Sequence, residues 1–202
     1  RADPNCPIRK QAIPSVQEMN FNTVELRDPT GDGAHRVTPL LVHRYPDRVL
    51  LMPTLNCPMY CRYCFRKVGL NESSPSFTKT WQQSLDYLQA HSEIEEVILT
   101  GGDPLMVSDK QLTRIFDGLR AVRHVRRVRI HTRVPVTLPS RITIKLTEVL
   151  ASYFPLYLVT HFNHPRELTT HSIRGLERLR SSGIQIANQS VLLKGVNDDA
   201  NA

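Results

Sequence analysis

Val49-Leu50-Leu51-Met52-Pro53-Thr54-Leu55-Asn56-Cys57-Pro58-Met59-Tyr60-Cys61-Arg62-Tyr63-Cys64 is the stretch on which the reading of the whole chain turns. Its first four residues form an apolar, β-branched run of the kind that makes a short buried strand. Its last eight carry three of the four cysteines in the protein. Thiols packed this closely make no useful disulfide framework, whereas clustered thiolates at short spacing are metal ligands. Cys6, the fourth cysteine, has no neighbour in sequence to act with and is read as incidental. A strand therefore delivers a ligand-rich loop.

Working outward, similar runs begin at Val97, Arg126, Leu156 and Ile184, so the five starts step by 48, 29, 30 and 28 residues. Apolar stripes at helical spacing fill the gaps: Trp81, Leu85 and Leu88; Leu112, Ile115, Phe116 and Leu119; Ile142, Leu146, Val149 and Leu150; Ile173, Leu176 and Leu179. Ser108 with Gln111 forms a capping-box pattern, Ser140 is a candidate cap for the third stripe, and Gly183 a candidate stop for the fourth. Strands alternating with helices imply parallel strands joined by right-handed crossovers. The fold class is α/β, with about five parallel βα units in an open sheet or most of a barrel. Polar segments follow nearly every strand: the cysteines, Gly101-Gly102-Asp103, His131-Thr132-Arg133, His161-Phe162-Asn163 and Asn188-Gln189. Parallel strands present their C-terminal ends on one face, so these segments converge there, which favours the barrel. The period would place a sixth strand just past the last residue.

Eight of the fourteen prolines fall in the first 58 residues, so residues 1–47 read as an irregular arm with at most a short helix near Val16–Phe21, and 48–202 as the core. With 202 residues and 40% hydrophobic composition, the chain is neither disordered nor collagen-like. No window reaches the roughly 18 apolar residues of a membrane span. The first residues hold neither an apolar signal core nor an initiator Met, from which a cytoplasmic location and a fragment are expected. The formal charge of +7 favours anionic partners. The densest basic stretch, Arg120 to Arg133, lacks interleaved aromatics, so nucleic-acid binding is not expected. It reads as a solvated strand edge and helix end, with Arg133 alone facing the pocket.

Cys57-x-x-x-Cys61-x-x-Cys64, with Tyr63 before the third cysteine, resembles the radical S-adenosylmethionine (SAM) superfamily. The resemblance implies a partial (β/α)6 barrel. It also implies a [4Fe–4S] cluster on Cys57, Cys61 and Cys64 whose fourth iron binds SAM, and a glycine-rich segment, here Gly101-Gly102, that holds the SAM amino group. A structural zinc completed by His43 or His161 is the competing use of the thiols.

Longer strings are similar to the lysine 2,3-aminomutase family over essentially the whole chain. They are Asp3-Pro4-Asn5 with Arg9-Lys10-Gln11-Ala12-Ile13-Pro14, His43-Arg44-Tyr45-Pro46-Asp47-Arg48-Val49, Thr160-His161-Phe162-Asn163-His164-Pro165, and Asn188-Gln189-Ser190 through Asn197-Asp198. That resemblance implies PLP-dependent 1,2-amino migration on an amino acid, L-lysine by default, driven by SAM cleavage. It assigns Arg44, Tyr45 and Arg48 to the PLP phosphate and Arg66 to the substrate carboxylate. His161, Asn188 and Gln189 fall to the SAM and substrate pocket, and Asp103 is a further polar group there. The family's PLP-binding lysine lies C-terminal to these motifs, so the chain alone is expected to lack aminomutase turnover. Expected partners are a small amino acid and an external reductant, with no membrane; homo-oligomerisation stays open. An aminomutase-like enzyme acting with elongation factor P, or a zinc or nucleic-acid binding module, are the alternatives.

Overall fold

The computed structural model describes residues 3–20, 26–69, 75–153 and 155–200. Six strands form one sheet: β1 (Leu41–Tyr45), β2 (Arg48–Leu51), β3 (Glu96–Leu99), β4 (Arg127–His131), β5 (Leu156–Thr160) and β6 (Gln185–Asn188). They lie in sequence order, and every neighbouring pair from β2 to β6 is parallel. The sheet is open, with β1 and β6 as its edges. Its regular stepping is that of a partial barrel of the α/β class, as the alternating pattern implies.

Within residues 1–47 the described residues include regular elements. Helix α1 (Pro7–Ala12) starts on a proline at its first position, where the missing N–H would be unbonded anyway. A 3-10 turn follows at Val16–Met19, capped reciprocally by Ser15 and Glu18. Phe21, included in the helix expected there, lies outside the described residues. Strand β1 pairs antiparallel with β2 through a tight turn at Pro46-Asp47. Its apolar half, Leu41 and Val42, is buried while Arg44 and Tyr45 are exposed, so it carries no sustained alternation that would mark a strand.

Helices cover one face of the sheet. α2 (Phe77–Ala90) buries Trp81 and Leu88, and α3 (Asp109–Arg120) buries Leu112, Ile115, Phe116 and Leu119. The Ser108 hydroxyl accepts from the Gln111 N–H at 3.2 Å, capping α3. A short α4 (Val134–Thr137) precedes α5 (Ile144–Ala151). Thr143 rather than Ser140 caps α5, because the Ser140 segment is itself a 3-10 turn and the helix starts later than its apolar stripe suggests. α6 (Thr170–Ser181) ends just before Gly183, whose φ of +80° is the left-handed stop a helix commonly uses.

The core lies between these helices and Val49, Leu51, Val97, Leu99, Val128, Ile130, Leu156 and Leu158. The opposite face mixes charged and apolar side chains, with Leu50, Ile98 and Val159 standing among Glu96, Arg129 and Tyr157. Arg127 and Arg129 alternate with Val128 and Ile130 as the strand period demands, but β4 sits mid-sheet and is not an edge. Glu96 is clamped there: Arg129 donates to its carboxylate at 2.6 and 3.1 Å, and Arg48 approaches at 3.9 Å. Among the described residues no helix is long and apolar enough to cross a membrane.

Candidate functional site

The three cysteines occupy one loop past the C-terminal end of β2, each half-buried and free. Consecutive turns, with the Cys64 N–H bonded to the Cys61 carbonyl at 3.0 Å, hold the last two close together. The N-terminal segment clasps this loop. Gln11 accepts at its carbonyl from the Arg62 N–H at 2.9 Å, and Arg62 donates from its guanidinium to the Lys10 carbonyl at 2.7 Å and pairs with Glu18.

Burial pushes the Cys57 thiol up to about 12, with Asp103 and the other two cysteines adding to the shift, and burial also raises Cys64. A thiol raised in this way stays protonated until a positive charge is brought to its sulfur. Among the described residues no group of three His, Cys, Asp or Glu side chains surrounds a single metal ion. His43, one candidate fourth zinc ligand, is occupied elsewhere, with its Nδ1 2.9 Å from the Tyr87 hydroxyl. A cube presents a separate iron to each thiolate and needs no such single focus. Three thiols on one loop are a donor set that an iron–sulfur cluster can use, one sulfur to each of three irons.

Gly101 and Gly102 follow β3, and the space their missing side chains leave is filled by the approach to the cysteine loop. A Cβ on Gly102 would lie 2.4 Å from the Leu55 carbonyl carbon, and one on Gly101 would lie 2.8 Å from the Thr54 oxygen. Gly101 also has φ +105°, which side chains rarely tolerate. The glycines thus let two strand ends dock backbone to backbone, bringing the cysteine loop over β3.

Asp103 is buried and fully engaged. Its carboxylate accepts from the Thr132 hydroxyl at 2.7 Å, the Arg133 N–H at 2.8 Å and the Leu105 N–H at 3.1 Å. Burial raises its pKa against these hydrogen bonds. The side chain braces the end of β3 to the end of β4.

Arg133 is the hub of the site. Its Nη1 donates to the Cys61 sulfur at 3.0 Å, Nη2 donates to Glu167 at 2.7 Å and to the Gln11 side chain, and Nε donates to the His161 carbonyl at 3.3 Å. The guanidinium lies over the Tyr63 ring, 5.4 Å from its centroid. Asn163 ties in by donating to the Tyr63 hydroxyl at 2.8 Å and to Gln11 at 3.1 Å. The partners of Arg133 lie up to 122 residues from it in sequence, so only the fold brings them together.

His161, half-buried at the end of β5, has its pKa lowered by burial and by Arg133. Asn188 links the end of β6 to the same loop through both backbone groups of Phe162, at 2.8 and 3.0 Å. Gln189 is exposed beside it, its N–H bonded to the Thr160 carbonyl at 2.8 Å. Arg66 leaves the cysteine loop, pairs with Asp32 at 2.7 Å and lies 4.5 Å over the Phe65 ring.

His131, named from sequence in a converging polar segment but given no role, closes β4 on the face away from the helices with a buried Nε2 that has no partner. Burial and the neighbouring Arg129, His161 and Arg66 hold its pKa down to about 4. Arg44, Tyr45 and Arg48 form a separate group at the β1–β2 turn, at the opposite end of β2. Both guanidiniums lie 5.8 Å from the Tyr45 ring centroid, and Arg48 is bidentate to Asp47. Between the two groups runs the sheet face away from the helices, with a cleft of about 380 Å³ lined by Glu96, Arg129, Tyr157 and Gln185 among others.

The profile of the radical SAM superfamily matches residues 51–201. L-lysine 2,3-aminomutase of Clostridium subterminale is 46% identical over 97% of this chain and 47% of its own length. The Haemophilus influenzae protein of that name is 41% identical over 99% of this chain and 60% of its length. The Bacillus subtilis one is 39% identical over 97% of this chain and 42% of its length. The chain spans about half the length of the curated relatives it matches.

Proposed function

The chain belongs to the radical SAM superfamily, and from that premise we propose that it forms the cluster- and SAM-binding part of a lysine 2,3-aminomutase-type enzyme. The observation that carries this is the triad of free, half-buried thiols on one loop, with the Arg133 guanidinium bonded to one of them. Cys57, Cys61 and Cys64 would hold a [4Fe–4S] cluster, and Arg44, Tyr45 and Arg48 the phosphate of PLP. Bound there, the cluster would supply one electron for reductive cleavage of SAM, and PLP would supply delocalisation for a 1,2-amino shift.

The protein's own residues place and enclose. The loop clasp by Lys10, Gln11 and Glu18 fixes the thiols on the strand ends. The Gly101-Gly102 contact and the Asp103 brace hold three strand ends in one rigid rim, which is where placement contributes to rate. Gly101, Gly102, His161, Asn188 and Gln189 form the stretch of rim assigned to SAM. Arg66 offers a cation for the carboxylate of an α-amino acid, its fork suited to a bidentate pair once it leaves Asp32. The cations at the β1–β2 turn suit an anionic phosphate for the same reason. On this reading the substrate is a small amino acid, by resemblance L-lysine, the partner is an external one-electron reductant, and the location is cytoplasmic.

Anaerobic reconstitution tests the proposal. The expected product is brown, with about four iron and four sulfide per chain, and releases 5′-deoxyadenosine from SAM under dithionite. Replacing any one of Cys57, Cys61 or Cys64 by Ala is expected to abolish that release. A colourless protein with a single zinc, or undiminished deoxyadenosine from a cysteine variant, would overturn it. Assays with free lysine, glutamate and arginine on the enzyme containing this chain then identify the amino acid.

A further inference from the structure

We propose that Arg133 is a positioning residue for the Cys61 corner of the iron–sulfur site, donating a fixed N–H to that sulfur and thereby raising the reduction potential of the cluster. The inference rests on the reading that the three cysteines hold a cluster.

The geometry argues that this hydrogen bond is built rather than incidental. The guanidinium is nearly enclosed, its side chain 9% exposed, and three of its nitrogens are committed to acceptors on four segments. These are the cysteine loop, α1, the end of β5 and the turn at Glu167. A planar fork of five donors meets such a set; the three donors of an ammonium on a flexible stem do not. The plane is further held against Tyr63, two residues from Cys61. Removing the arginine's freedom to turn aims Nη1 at sulfur, 3.0 Å away.

The charge arrangement says what kind of influence this is. Glu167, 2% exposed, neutralises the guanidinium at 2.7 Å, and its other oxygen accepts from the Asn163 N–H at 2.7 Å. The Arg133–Glu167 pair is therefore neutral as a unit. What reaches Cys61 is a directional N–H···S bond rather than an unshielded cation. Such a bond withdraws electron density from a thiolate sulfur and favours the reduced state of the iron it serves, so hydrogen bonds to sulfur tune cluster potentials. The same network reaches Gln11, so α1 contributes to the tuning through the position of the guanidinium.

Truncating Arg133 alone would strand the buried Glu167 charge, so the test pairs Arg133→Met with Glu167→Gln and compares it with Glu167→Gln alone. Each protein is reconstituted with iron and sulfide, and three quantities are read: iron content, midpoint potential, and exchangeable-proton couplings of the reduced cluster by electron–nuclear double resonance. The double variant is expected to load iron, shift its potential to a more negative value and lose one strong exchangeable-proton coupling. Glu167→Gln alone is expected to keep that coupling. If the double variant takes up no iron, Arg133→Lys must show both changes, because an ammonium drawn to Glu167 lacks the second nitrogen that the planar guanidinium holds against the sulfur. Wild-type potential and wild-type couplings in whichever variant loads would overturn the role of Arg133 and leave the cluster reading intact. A wild-type protein that binds no cluster overturns the cluster reading, and this inference with it.

Discussion

The two faces of the sheet are built from the same strands and held by different physics. On the helix-covered face Val97, Leu99, Val128, Ile130 and Leu158 are fully buried against α2, α3, α5 and α6. On the other face Glu96, Arg129, His131 and Tyr157 stand at alternate positions of those strands, with ion pairs and a cleft in place of close packing. Parallel sheets normally bury both faces in apolar contacts. Here one face carries the stability, which leaves the other free to hold polar chemistry.

That contrast is testable by size of effect. Phe116, fully buried beside Tyr153, belongs to the packed face. Phe116→Ala is expected to cost about 3–5 kcal/mol in urea denaturation, from lost transfer energy plus the cavity left behind. A loss near the size of a surface mutation would break the assignment of stability to this face.

The face away from the helices should show itself in pH dependence. His131 is held neutral in the fold down to about pH 4, against an ordinary value of 6.5. Between those values the unfolded chain binds a proton that the folded chain refuses. The stability this contributes is intact above about pH 6.5 and falls as pH drops, by up to about 1.4 kcal/mol per pH unit. His161, also lowered, acts in the same direction. Denaturation midpoints at about pH 7 and about pH 4.5 should fall more steeply for the wild type than for His131→Gln; equal slopes would remove His131 from the account.

The rim where the faces meet should respond in two ways at once. Gly102→Ala places a methyl against the Leu55 and Asn56 backbone, within 2.4–2.7 Å. A stability loss of about 1–3 kcal/mol is expected from the overpacking, together with reduced iron uptake, because the cysteine loop must move. Normal uptake at normal stability would show that the loop does not depend on this contact.

The smallest effect is expected at Glu96. Glu96→Gln keeps an acceptor for Arg129, whose side chain is still 32% exposed, so a cost of about 1 kcal/mol by thermal melts is expected. A cost like that of Phe116→Ala would erase the distinction between the faces.

Much of this was legible in the residues. The runs at Val49, Val97, Arg126, Leu156 and Ile184 all become parallel strands, because the positions that face the helices must be apolar and recur at the strand period of two. Ser108 and Gly183 mark helix ends because capping is a local matter. Strand β1 was hidden, since its pairing to β2 comes from the turn at Pro46-Asp47 and not from its own alternation. The cap of α5 fell on Thr143 for a similar reason: where a helix starts after a 3-10 turn depends on how the preceding segment packs.

The sequence by itself determined the donor chemistry, because three cysteines at short spacing must share a loop, and it determined the alternation of strands and helices, because each element's apolar period is local. Only the tertiary structure decided what each donor does. It turned Asp103 inward as a brace, set the glycines under the cysteine loop, and gathered Gln11, Tyr63, Arg133, Asn163 and Glu167 into one buried network. Those choices depend on contacts between residues far apart along the chain, and hydrogen-bond geometry at that range leaves no period or spacing to read.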